Sequence, residues 1–230
     1  MKTAKSMVLI GVSTLAWIIV PGPAHAELVL SELIVDLQPG KQSREDVEVW
    51  NNSPERSFVS IDPREIVDAG MPSQRDRRDP DPENLGLLVA PARMILEAGQ
   101  RRLVRFANLS ASPDREHVYR VTIKPTVGAL KSAESGLKVV VGYDVLVLIR
   151  PVRPTVNVIG ARNGRKLTFK NSGNVSVEVV EGQQCSNGHA CTSLPGKRLY
   201  PNAAWTLDLP ADLPVSYTLR SAGQSQRRTY

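Results

Sequence analysis

Histidine and cysteine are scarce in this chain of 230 residues, with three of the first and two of the second. Discounting His25, which falls in an N-terminal leader, leaves His117 and His189, too few for most histidine-based zinc or copper sites. No Gly-x-Ser-x-Gly, no phosphate-cradling glycine loop and no His-Glu-x-x-His occurs. Asp114, Glu116 and His117 lie together. Adjacent residues on a strand point to opposite faces, so these three read as a polar start to a strand and not as a catalytic group. No enzyme, cofactor or metal is expected. A hydrolase built from scattered residues stays open as a distant alternative, because triads are recognised by geometry. Aromatics make up 5% of the chain and do not interleave with basic stripes, which argues against nucleic acid as a partner.

Beyond the first 20 residues no run is long and apolar enough to be transmembrane. Lys2 and Lys5 precede an apolar run from Met7 to Val20, followed by Pro21-Gly22-Pro23 and Ala24-His25-Ala26. A charged start, a short apolar core and a small-x-small cleavage site make residues 1–26 a secretory signal peptide, too short to span a bilayer comfortably. Removing its two lysines, with no acid lost, lowers the formal charge from +6 to +4. About 200 residues remain, enough for one large or two ordinary domains. In an exported chain the closely spaced Cys185 and Cys191 read as a disulfide. His189 between them keeps a metal site as the alternative.

What is present is a series of short alternating segments. Leu28–Leu37 is an apolar strand ended by Pro39-Gly40. Val47 and Val49 alternate with Asp46 and Glu48. Tyr119, Val121 and Ile123 alternate with Arg120, Thr122 and Lys124. Between them, Asp68 to Glu83 is polar and reads as a solvated, mobile loop. The pattern resets after Pro151-Val152-Arg153-Pro154: Leu167 with Phe169, then Val175, Val177 and Val179, then Val215, Tyr217 and Leu219. Many alternating strands split by Gly, Pro and Asn turns predict an all-β chain of two antiparallel β-sandwich domains. Their bounds are 27–150 and 155–230, joined by the short Pro-rich connector.

The longest apolar stretch, Leu137 to Pro151, sits at that joint. Its β-branched content predicts a long strand, with Gly142 marking a bulge or a close backbone approach. Leu137, Val139 and Val141 share one side of the pleat. Two readings stand: an edge strand that offers apolar surface to a partner, or a central strand buried on both faces.

Several stretches resemble the periplasmic chaperones of the chaperone–usher pilus pathway. They are Leu87-Leu88-Val89-Ala90-Pro91 with Leu96-Glu97-Ala98-Gly99-Gln100, Arg115 to Val121, the long strand ending in Arg150-Pro151, and Leu194-Pro195-Gly196 with Val215-Ser216-Tyr217. The resemblance implies two immunoglobulin-like domains, residence in the periplasm, and a partner pilus or fimbrial subunit that lacks its last strand. The chaperone lends a strand to that subunit and delivers it to an outer-membrane usher, a mode known as strand addition. Leu137, Val139 and Val141 would be the donor side chains, and self-association of the free form would hide them. The alternative is a secreted immunoglobulin-like structural or adhesive fimbrial component.

Two departures from the family accompany the likeness. Its better-studied members hold the subunit's terminal carboxylate with a first-strand Arg and a Lys on the long strand, and those positions are Ile34 and Leu146 here. Arg120, Lys124 and Lys138 become the candidate carboxylate anchors. The family also bridges its domains from a Glu through an Arg to a second-domain Asp. Glu116 and Arg150 match the first two, whereas the third is Ser221. Two unrelated surface charges remain the competing reading.

Overall fold

The computed structural model describes residues 27–38, 40, 42–111, 113–126, 141–185, 190–221 and 223–230. The leader, Leu137, Lys138, Val139 and His189 lie outside the described residues.

Among the described residues eighteen strands form four sheets, with one single-turn helix outside them. In the first pair, one sheet runs in the order β1 (Leu28–Leu30), β3 (Arg44–Asn51), β8 (Arg101–Asn108) and β6 (Leu87–Ala90). The facing sheet runs β2 (Ile34–Leu37), β10 (Tyr143–Ile149), β9 (His117–Pro125), β4 (Ser57–Val67) and β5 (Arg75–Arg77), with β7 (Arg93–Leu96) also on β4. Alternation explains the assignment: along β9 the side chains of Tyr119, Val121 and Ile123 are fully buried, while Arg120, Thr122 and Lys124 face outward. With Val47, Val49, Val104, Phe106, Val145 and Val147 they form one continuous core.

The second pair is smaller. Its sheets are β11 (Val158–Asn163), β12 (Lys166–Asn171) and β16 (Ala204–Asp208), facing β14 (Cys191–Leu194), β13 (Val177–Cys185), β17 (Val215–Ser221) and β18 (Gln224–Thr229), with β15 (Lys197–Leu199) on β13. Phe169, Tyr217 and Tyr230 meet edge-to-face at the centre of its core. Cys185 and Cys191 are register partners at the end of the β13–β14 hairpin and form a disulfide.

Two expectations are corrected. Leu28–Leu37 is not one strand, because the chain changes sheets at Ser31–Leu33. There Ser31 pairs with Glu48 through its backbone N–H (3.0 Å to Glu48 O), and its Oγ accepts from Glu48 N–H (3.0 Å). β1 is therefore antiparallel to β3, whereas β2 is parallel to β10. Residues 68–83 are not a free loop either: they hold β5 and the start of α1 (Pro82–Leu85). Arg77 fastens the segment, with its Nε 2.6 Å from Glu65 Oε2 and its Nη1 and Nη2 donating to the carbonyls of Asn84 and Leu85. Burial would raise the Glu65 carboxyl, but bonds from His117 and Arg77 outweigh it and hold the group below its ordinary range.

Candidate strand-docking edge and domain junction

β10 lies between β9 and β2, but the two neighbours cover different lengths of it. β9 pairs with all of Tyr143–Ile149, whereas β2 pairs only with Leu146–Ile149. Leu146 N–H donates to Leu33 O (2.9 Å) and Arg150 N–H to Leu37 O (2.8 Å), so even-numbered residues direct their backbone groups toward β2. By the same alternation Asp144 directs its N–H and C=O away from β9, to a side where no strand stands among the described residues. The strand is thus central in its second half and an edge in its first, so each of the two sequence readings describes one half of it.

Apolar surface surrounds the open half. Val141, Leu33 and Ile34 are 53%, 52% and 48% exposed. Gly142 marks a close approach and not a bulge: a Cβ there would stand 2.8 Å from Lys124 Cβ. A groove of about 550 Å³ runs over this end of the sheet, lined by Thr122, Lys124, Pro125, Thr126, Gly142, Tyr143 and Asp144.

The register shows what became of the expected clamp. Ile34 and Leu146 are direct partners across β2 and β10, and both are aliphatic. Leu146 is buried with Val118, Leu148 and Ala69 against Ile66 and Tyr200, so the position joins an apolar contact between the two sandwiches. Gly70, at φ +75°, leaves room for that contact in the β4–β5 turn: a Cβ would stand 3.3 Å from both Ala203 Cβ and Tyr200 Cδ2. Of the candidate anchors, Arg120 donates to the outward Asp144 carbonyl (3.2 Å), and Lys124 is exposed on the groove wall. Lys138 lies outside the described residues.

Arg150 and Glu116 meet in a buried ion pair. Arg150 also forks onto Asp36, with Nε 2.9 Å from Oδ1 and Nη2 2.7 Å from Oδ2. The Glu116 carboxylate accepts from Ser176 N–H (3.0 Å) and Ser176 Oγ (3.2 Å) in the second sandwich, and Ser221 Oγ donates to Ser176 O (2.7 Å). Burial pushes the Glu116 carboxyl up, with Arg150 and Ser176 opposing. Sequence reasoning did not single out Asp36 or Ser176. Asp36 carries a faint signal, as the lone acid inside β2.

The geometry is that of a two-sandwich protein with one half-open sheet edge beside its domain junction. The family model for the pili and flagellar-assembly chaperones, PapD N-terminal domain, matches residues 28–154, more than half of the chain. The chain belongs to this chaperone family. It is therefore a PapD-like assembly chaperone and not an enzyme. The class 5 fimbriae chaperone CfaA superposes with a TM-score of 0.65 at 24% identity, covering 88% of this chaperone and 98% of that chain. The SafB chaperone, solved in complex with the Salmonella enterica SafA pilin, gives 0.63 at 18% identity over 90% and 97%. The CsuC–CsuE chaperone–tip adhesion subunit complex from archaic Csu pili of Acinetobacter baumannii gives 0.60 at 13% over 89% and 98%. At these identities the structures speak to the fold alone. No curated protein sequence matches the chaperone significantly.

Proposed function

We propose that this periplasmic chaperone, with sandwiches bounded at 27–150 and 155–230, binds pilus or fimbrial subunits by donor-strand complementation and delivers them to an outer-membrane usher. The carrying observation is the unequal cover of β10: among the described residues the ladder is closed over Leu146–Ile149 and unpaired on one side at Tyr143–Val145. Leu137, Val139 and Val141 are the donor side chains in this reading, and the exposure of Val141 supports it. Backbone pairing supplies binding that tolerates varied sequences, and each aliphatic fully buried in a subunit groove adds roughly 1.5–3 kcal/mol. Arg120 and Lys124 flank the open half, and with Lys138 they are the cations that would meet a terminal carboxylate. In the free form the same edge would pair with a second copy. A fimbrial component would instead need a donor segment ahead of its own fold, yet Leu28–Leu30 and Ile34–Leu37 are already paired within the first sandwich.

The test is recovery of subunits from periplasm with tagged chaperone. Val139→Asp combined with Val141→Asp should abolish recovery while the chaperone itself stays folded, checked by its thermal melt. Undiminished recovery would remove the donor assignment.

A further inference from the structure

Among the described residues the open half of β10 has no strand on one side, yet it stays in register with β9 as far as Tyr143. A lone edge of this kind frays unless something besides the ladder holds it. Tyr143 is tied by its hydroxyl to Leu28 O (2.7 Å) and the Asp144 carbonyl by Arg120 (3.2 Å), and the outer face of the sheet adds a further hold on the Asp144 side chain. Thr122 and Asp144 are register partners on β9 and β10, and Arg64 stands beyond them on β4. Arg64 Nη2 lies 3.0 Å from Asp144 Oδ2, and Arg64 Nη1 donates to Thr122 Oγ1 (2.8 Å). Thr122 Oγ1 in turn donates to Asp144 Oδ1 (3.1 Å), which closes a ring across three strands. Arg64 Nε reaches back to Asp76 Oδ2 on β5 (3.1 Å). The Arg64 side chain is only 16% exposed, so its charge is poorly screened and its planar fork is held in place.

We propose that Arg64 is a positioning residue for the docking edge. It does not reach the edge itself. It acts through Asp144, the residue whose backbone N–H and C=O face the open side, and keeps that backbone extended before a partner strand arrives. The role rests on the strand-addition reading above. It lowers the ordering cost of binding, because the edge need not straighten at the moment of contact.

Amide hydrogen exchange on the free protein tests the hold without any partner. By the alternation, Tyr143 and Val145 direct their amides to β9. In Arg64→Met these two should exchange about tenfold faster, as expected when a charge-assisted bond no longer limits a local opening, while Val147 and Ile149 keep their wild-type rates. Arg64→Lys, which can reach Asp144 but cannot also fork onto Thr122, should fall between. Should Arg64→Met fold poorly, Thr122→Val breaks the same ring with less perturbation and should shift the same two amides. Unchanged rates at Tyr143 and Val145, or equal acceleration at all four positions, would overturn the proposal.

Binding is read with a capped synthetic strand peptide of alternating valine and threonine. Arg64→Met should capture it about tenfold more slowly. Loosened amides with unchanged capture would show a strut that plays no part in docking, which also overturns the positioning role. If the wild-type chaperone captures no strand at all, the strand-addition reading fails, and the exchange result still stands as a statement about Arg64.

Discussion

The two halves of β10 share one strand and one neighbour, β9, but are held by different chemistry. Leu146–Ile149 are all buried, closed on the second side by β2, and end in Arg150, whose guanidinium is shared by Glu116 and Asp36. Tyr143 and Asp144 are partly or fully exposed; the Tyr143 hydroxyl donates to Leu28 O (2.7 Å), and Asp144 is bonded on the outer face by Arg64, Thr122 and Arg120. One half contributes stability, and in the proposed strand-addition reading the other contributes recognition. The difference arises because β2 covers only four residues of a seven-residue strand. Mutations in the two halves should therefore separate folding from binding.

The largest effect is expected where the closed half ends. Arg150→Met leaves Glu116 buried without its cation and should cost about 3–5 kcal/mol in denaturant unfolding. A loss below about 1 kcal/mol would mean that the ion pair contributes little to the junction. Leu146→Ala empties part of the contact with Tyr200 and should cost about 2–5 kcal/mol. If it leaves stability unchanged while impairing subunit recovery, the division between the halves lies further along the strand than the register implies. Gly142→Ala pushes against Lys124 where the open half begins. It should cost about 1 kcal/mol globally, with a larger fractional loss in subunit recovery.

The smallest effect concerns β3, in the facing sheet. Glu45 on β3 has its carboxyl pushed up to about 7, first by burial and then by its hydrogen bond with Glu32, next to the sheet change. A folded value above the unfolded one means that this stabilisation is complete below pH 4.5 and is lost as pH rises through 7. Glu45→Gln should therefore stabilise the protein by about 1 kcal/mol at pH 8, after discounting for solvent screening, and by little at pH 5. Thermal melts at the two pH values check it, and equal shifts at both would dissociate Glu45 from the effect.

The all-β architecture was legible because the apolar residues alternate over runs as short as Val47–Val49 and Val175–Val179, and turns separate those runs. The disulfide was legible from spacing and export. The change of sheets within Leu28–Leu37 was not, because hydropathy is the same on either side of Ser31 and only a bond to Glu48 marks the switch. Residues 68–83 read as a loop because their composition is polar, and nothing local announces that Arg77 will meet Glu65. Asp36 and Arg150 are 114 positions apart in sequence and meet only because β2 and β10 run parallel. The ring of Arg64, Thr122 and Asp144 was equally silent, since its members look like ordinary outward-facing polar residues.

The change of sheets at Ser31–Leu33 has one more consequence. A guest strand laid along Tyr143–Val145 would advance only until it met Leu33, where the chaperone's own chain already occupies the ladder. In the strand-addition reading the crossover would act as a doorstop: it would fix how far a visitor can slide, so alignment between the two molecules would be counted from that barrier and not negotiated along the whole edge.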